Sequence, residues 1–190
     1  MLVDAGCELD GYASDITRTW PVSGRFSPEQ KDLYELVLQA QEAAFAAIVP
    51  GQPYSGMHEA AVQVLAAGML DLGLLDKTKY GSADDAIADK AHLQFYMHGT
   101  GHWLGMDVHD VGPYRDLTQA ERPSRPLQPG MALTVEPGIY VRPAEGVPEA
   151  FWNIGIRIED DVVVSEDGCR VLSGAAPKSV AEIEQLMEQR

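Results

Sequence analysis

Apolar residues recur along this chain with two periods, and the switches between them divide it into segments. Leu33, Leu36, Val37, Ala40, Ala44, Phe45 and Ile48 fall at the three- and four-residue spacing of one helix face. Ser27-Pro28-Glu29-Gln30 supplies the start, with a serine N-cap, proline at the first helical position and a glutamine closing a capping box. Pro50-Gly51 stops this helix. Ala61, Val62, Leu65, Met69 and Leu72 mark a second helix, which ends at Gly73. Ser179 and Glu182 form another capping box and open a helix toward the C-terminus. Elsewhere the pattern is that of strands. Leu2 to Cys7 and Tyr12 to Trp20 flank Glu8-Leu9-Asp10-Gly11, whose Asp-Gly is a hairpin signal. Leu133 to Tyr140 is an apolar run holding one acid and cut by Pro-Gly, the pattern of a buried strand that ends at a site. In Gly155 to Val164, alternation puts Arg157 and Glu159 on one face and Ile156 and Ile158 on the other. Thr78 to Asp89 is polar and reads as a surface loop with a short helix. Pro123 to Pro129 reads as a connection, and Glu145 to Pro148 as a hairpin-type loop. The expected architecture is α+β: a hairpin, two helices, a histidine-rich segment, further strands and a final helix, in a single domain over residues 1–190.

The chemistry-bearing residues punctuate this pattern. A turn centred on Leu9-Asp10 puts Asp4 directly opposite Asp15, with side chains about 5 Å apart on one face. Like charges so placed destabilise a sheet unless a cation lies between them; the alternative is two solvated acids on an exposed hairpin. Three of the five histidines, His98, His102 and His109, fall within twelve residues, and the glycines among them allow close backbone approach. His58 and His92 lie on helical or polar stretches away from these motifs and read as structural. Arg157, two residues before Glu159, forms either a plain salt bridge or a support for a metal-bound carboxylate. In chain order, Asp4, Asp15, His102, Glu136 and Glu159 make four carboxylates and one imidazole. Two neighbouring divalent cations call for such a set, because bridging carboxylates cancel their mutual repulsion. Oxygen ligands with one imidazole and no thiolate suit manganese, cobalt, iron or zinc.

These residues sit in wording that resembles the M24 metallopeptidases, which have the pita-bread fold. The stretches are Val3-Asp4-Ala5-Gly6-Cys7-Glu8, Ser14-Asp15-Ile16-Thr17-Arg18-Thr19-Trp20, His102 to Gly112, Glu136-Pro137-Gly138-Ile139-Tyr140 and Ile156-Arg157-Ile158-Glu159-Asp160-Asp161. Within that family the wording is most similar to aminopeptidase P, with prolidase the near neighbour, and the resemblance covers essentially the whole chain. It implies two divalent ions, Mn2+ by preference, held by Asp4, Asp15, His102, Glu136 and Glu159. Asp15 and Glu159 would bridge both ions, Asp4 would bind one, and His102 and Glu136 the other. A hydroxide shared by the ions would attack the N-terminal Xaa-Pro bond of a peptide, with Glu136 shuttling the proton. The resemblance also makes His98 and His109 substrate contacts that stabilise the tetrahedral intermediate. It makes Arg157 and Tyr140 supports of the bridging carboxylates, with Tyr140 also against substrate, and puts Tyr114 in the proline pocket. An Xaa-Pro bond lacks the N–H that most peptidases grip. A site that holds the free amino end at a metal and packs the ring against His and Tyr answers that difficulty.

The family's domain carries helices and strands ahead of the first ligand strand, including a histidine near substrate. The expectation is therefore an N-terminally incomplete domain. Prolidase, an inactive fragment and a non-catalytic binding module remain the alternatives, and dimerisation is one way to cover the surface an absent part would leave.

Composition narrows the partners. At 190 residues and 45% hydrophobic, the chain has enough apolar content for a real core and is not of the disordered class. Its formal charge of −15 disfavours nucleic acid and anionic membranes. No apolar run approaches the ~18 residues of a membrane span, and no signal-peptide pattern follows Met1, so a cytoplasmic protein is expected. Cys7 and Cys169 make no disulfide framework and read as free core or near-core thiols.

Overall fold

The chain opens on an antiparallel hairpin whose two arms are both broken. The structure, a computed structural model describing residues 1–189, divides it into β1 (Leu2–Ala5), β2 (Glu8–Leu9), β3 (Tyr12–Ala13) and β4 (Ile16–Thr19). One register runs through both parts: Leu9 faces Tyr12, Glu8 faces Ala13, Ala5 faces Ile16 and Asp4 faces Thr17. This corrects the expected pairing of Asp4 with Asp15. The turn residues are Asp10 and Gly11, both left-handed at φ 53° and 83°, as a tight hairpin of matching twist requires. Centring the turn one residue later moves every cross-strand partner by two. Asp15 becomes the diagonal neighbour of Asp4 and stays on the same face. Cys7 lies in the break, its N–H donating to Ser14 Oγ at 3.0 Å, and is exposed rather than part of the core. Cys169 is half-buried and also free.

Helix α1 (Pro28–Ala47) begins at Ser27 with the expected capping box. Leu33, Leu36, Val37, Ala40, Ala44 and Ile48 are buried as their spacing predicts, joined by Tyr34 and Gln41. Gln41 is polar and fully buried because its Nε2 donates to the carbonyls of Val135 and Ile158, at 3.1 and 3.2 Å. Helix α2 (Ser55–Asp71) packs along α1, and Gly73 follows it with φ 71°. The polar stretch after it contains α3 (Ala83–Ala88), as expected. The remaining strands are β5 (Ala132–Val135), β6 (Gly138–Val141), β7 (Ile154–Arg157), β8 (Asp160–Val164) and β9 (Cys169–Val171), and α4 (Val180–Glu188) closes the chain from a Ser179 capping box.

All strand pairs are antiparallel: β5 with β8, β8 with β9, and β6 with β7. The helices cover this surface through a core that includes Leu33, Val37, Leu65, Leu133, Ile139 and Ile156. The His-rich segment forms no helix. It lies extended against β5: Thr134 N–H donates to the His102 carbonyl at 3.0 Å, Leu104 N–H to that of Ala132 at 3.1 Å and Glu136 N–H to that of Thr100 at 2.7 Å. Gly101 makes this approach possible, since a Cβ there would lie 2.0 Å from the Thr134 carbonyl oxygen. Among the described residues no helix is long and apolar enough to cross a membrane.

The close approach at Gly101 is testable. Gly101→Ala is expected to lower the unfolding free energy by about 1–3 kcal/mol, the usual cost of overpacking. Gly99→Ala, whose Cβ would meet nothing nearer than 3.9 Å, is expected to be close to neutral. Urea unfolding of the two variants checks the contrast.

Candidate metal centre

The seams between strands carry the site. Asp4 comes from β1 and Asp15 from the break before β4. His102 comes from the segment along β5, Glu136 from the two-residue gap between β5 and β6, and Glu159 from the gap between β7 and β8. A gap in pairing frees a residue to turn its side chain inward while the flanking strands hold its backbone. Alternation survives the second gap: Arg157 and Glu159 face the site, and Ile156 and Ile158 are buried behind it.

The five residues converge. Donor atoms of Asp4, Asp15 and Glu159 lie within 4.8 Å of one another, as do those of His102, Glu136 and Glu159, and those of Asp15, His102 and His109. Glu159 belongs to two of these groups, as do Asp15 and His102. His102 Nε2 is 3.4 Å from Asp15 Oδ2 and 3.8 Å from Glu136 Oε1. The His102 and His109 rings lie 3.9 Å apart. His102 Nδ1 faces the Trp103 carbonyl at 3.0 Å, which can only accept. Nδ1 therefore carries the proton, and Nε2 is left free to act as a ligand.

Burial raises the carboxyls here above their ordinary values. Glu136 is pushed up to about 7 and Glu159 to about 8, first by burial and further by the neighbouring acids, against the pull of Arg157 on the former and of the Thr17 hydroxyl on the latter. Asp15 is raised by burial and by Asp4 beside it. Carboxyls are thus gathered where burial opposes their ionisation. An oxygen-rich, thiolate-free donor set under that strain fits hard or borderline divalent cations.

Arg157 ties the site together. Its Nη2 donates to Asp4 Oδ2 at 2.7 Å, its Nε to Thr17 Oγ1 at 3.1 Å and its Nη1 to the Tyr140 hydroxyl at 3.3 Å. Thr17 passes the contact on, donating to Glu159 Oε2 at 2.5 Å. Tyr140 OH in turn meets His98 Nε2 at 2.8 Å, while His98 Nδ1 meets the Gly99 carbonyl at 2.7 Å and stands 3.8 Å from Glu136 Oε2. Of the expected residues Tyr114 alone sits a layer out. Its hydroxyl accepts from Trp103 N–H at 3.4 Å and its ring stacks on Trp103.

Several supporting residues were not anticipated. Asp161 is buried and accepts the Asp15 N–H at 3.1 Å. Asp160 is fully buried but saturated, accepting from Arg18, Lys178 and Ser173 at 2.7, 2.8 and 2.6 Å. These partners hold its carboxyl below the usual range despite burial. Arg18 also grips the Glu159 carbonyl at 2.6 Å. Thr17 was within reach of the alternation rule, lying two residues from Asp15 on the same face. His58 does not stand apart from the motifs as expected: its Nδ1 is 2.8 Å from Thr100 Oγ1, because α2 packs beside the His-rich segment. Beside the carboxylates an open cleft of about 680 Å³ is lined by Asp4, Asp15, Cys7, Met106 and His109 among others.

Comparison with known proteins agrees with this arrangement. Residues 1–166 match the model of metallopeptidase family M24. The chain is 48% identical to the Xaa-Pro aminopeptidase of Haemophilus influenzae and 46% identical to that of Escherichia coli, each over 98% of this chain. It spans about two-fifths of those proteins, 41% and 40% of their lengths. Among solved structures, Pseudomonas aeruginosa aminopeptidase PepP superposes with a TM-score of 0.93 at 57% identity, over 99% of this chain and 41% of that one. Escherichia coli aminopeptidase P with the inhibitor Pro-Leu gives 0.90 at 46%, again over 99% and 41%. The mixed fold, the clustered donors and the matched sequence lead to one assignment: the chain belongs to metallopeptidase family M24.

Proposed function

We propose that residues 1–190 form a metal-dependent catalytic domain that hydrolyses the N-terminal Xaa-Pro bond of peptides, as an Xaa-Pro aminopeptidase. The observation that carries this reading is the convergence of Asp4, Asp15, His102, Glu136 and Glu159, drawn from five separate segments, into overlapping donor groups. The relatives' names supply the proline specificity, and the inhibitor Pro-Leu of the Escherichia coli protein is in keeping with it. The acidic chain is consistent with a cytoplasmic enzyme acting on peptides.

Asp4, Asp15 and Glu159 would hold one divalent ion and Asp15, His102, Glu136 and Glu159 the other, with Mn2+ favoured. Two such ions, when bound, supply an activated water and polarise the peptide carbonyl. The protein's own groups do the rest. Glu136, at the site where the activated water would lie, would accept its proton and return it to the leaving proline nitrogen. His109, beside His102, is placed at the open cleft, where it can donate to a developing oxyanion. His98 is held by Gly99 and Tyr140 as a neutral ring, which suits it to pack against substrate. Arg157 keeps Asp4 and, through Thr17, Glu159 in place.

Hydrolysis of an Xaa-Pro-Xaa tripeptide beside an Xaa-Pro dipeptide, with Mn2+ supplied, tests the reading. Tripeptide cleavage is expected, and Glu136→Gln is expected to lower kcat by about 10²–10⁴-fold. Cleavage of the dipeptide alone would make the enzyme a prolidase. No cleavage of either by folded protein would refute activity of this chain and leave a fragment or a binding module.

Metal uptake should also depend on pH in a defined direction. Glu136 and Glu159 have ordinary values of 4.5 and are raised in the fold, so the folded chain binds protons more readily than the unfolded one. Their contribution to the stability of the metal-free chain is therefore fully present below 4.5 and is lost as pH rises toward about 8. An incoming cation must displace those protons. Mn2+ affinity is expected to tighten by about tenfold or more between pH 6 and pH 8, with more protons released per ion at pH 6. Calorimetric titration in buffers of different ionisation enthalpy measures both; pH-independent affinity would show that these carboxyls are not raised in the metal-free fold.

A further inference from the structure

Beside the His-rich segment lies a short, largely buried chain of polar groups that the proposed chemistry leaves unused. Thr100 is 1% exposed, and its hydroxyl stands 2.7 Å from the Tyr96 hydroxyl and 2.8 Å from His58 Nδ1. Tyr96 is fully buried, and among the described residues Thr100 is its hydroxyl's hydrogen-bond partner. Leaving a buried donor unused is costly. Tyr96 therefore donates to Thr100, Thr100 donates to His58 Nδ1, and the His58 proton sits on Nε2.

The main chain of Thr100 connects this group to the site. Its carbonyl accepts the Glu136 N–H at 2.7 Å, and it stands midway between His98 and His102. The start of α2 braces the same place, with the Tyr54 hydroxyl donating to the Gly101 carbonyl and Met57 packed beside Gly101. A displacement of Thr100 would move His102 and Glu136 together.

We propose that His58, through the Thr100 hydroxyl and Tyr96, is a positioning residue that fixes His102 and Glu136 for metal binding. The inference rests on the metal-centre reading above and adds to it a residue that touches neither metal ligands nor substrate. It predicts that the geometry of one ion's ligands is set from helix α2 rather than from the strands alone.

The test is titration of the full chain with Mn2+ alone, at a temperature where circular dichroism shows each variant fully folded. The parent is expected to bind Mn2+. His58→Ala and Thr100→Val are each expected to weaken binding about tenfold, the range seen when supports of metal ligands are removed. The double variant should bind no more weakly than the worse single one, because both substitutions cut the same chain. His58→Gln, which can still meet the Thr100 hydroxyl, should recover most of the loss, and Tyr96→Phe should fall between. A merely structural role would leave the affinity of fully folded variants at the parental value, and that result would overturn the inference, as would losses that add. Absence of Mn2+ binding by the parent would instead overturn the metal-centre reading, and this inference with it.

Discussion

Buried like charge is the constraint on which the rest of this structure depends. Asp15, Glu136 and Glu159 converge in a space that burial makes poor in solvent, with the exposed Asp4 at its edge, and each additional carboxylate raises the cost of ionising its neighbours. Arg157 relieves part of this charge, from one side. Protonation of Glu136 and Glu159, both raised by burial, relieves the rest, and keeping the carboxyls together requires a rigid frame. That frame explains why so much of the polar bonding in the interior ends on the backbone of a ligand residue rather than on its side chain.

The contrast between neighbours in β8 makes the point. Asp160 is as buried as any residue here, yet it is surrounded by Arg18, Lys178 and Ser173 and stays readily ionised. Asp161, next in sequence, is spent on the Asp15 amide and is pushed up to about 6 by burial. Glu159, just before them, is higher still. Three consecutive acids thus have three electrostatic environments, one neutralised by cations, one by a backbone donor, and one left in surplus. A protein selected for stability alone would not keep the third, and replacing it by a neutral isostere would stabilise the metal-free fold while removing a candidate ligand.

Much of this was legible in the amino-acid sequence because it depends on local rules. Capping boxes at Ser27 and Ser179 mark helix starts, the spacing from Leu33 to Ile48 marks the buried face of α1, and family wording marks the ligands. The hairpin register was misread by two residues because one turn residue decides it, and Asp-Gly could be centred in two ways. Cys7 read as a core or near-core thiol, whereas it lies exposed in the break of the hairpin. His58, Asp161 and the grip of Arg18 were invisible for a different reason. Their partners lie far away in the chain, as with Asp161 and Asp15 or His58 and Thr100, and no periodicity encodes contacts at that separation.

The scattering of the ligands over strand seams has a consequence for how the molecule comes into being. Asp4 lies near one end of the chain and Glu159 near the other, with both helices of the main layer formed by residues between them. Bringing such distant positions together requires closing long loops, which is slow and is rewarded only after the intervening elements have docked. A nascent or half-collapsed chain presents isolated acids with no affinity worth the name, so under the proposed metal binding an ion would be captured at the end of folding rather than guide it. On the proposed reading, metal uptake would be a checkpoint on completed assembly, and a misfolded copy would be left without a formed site.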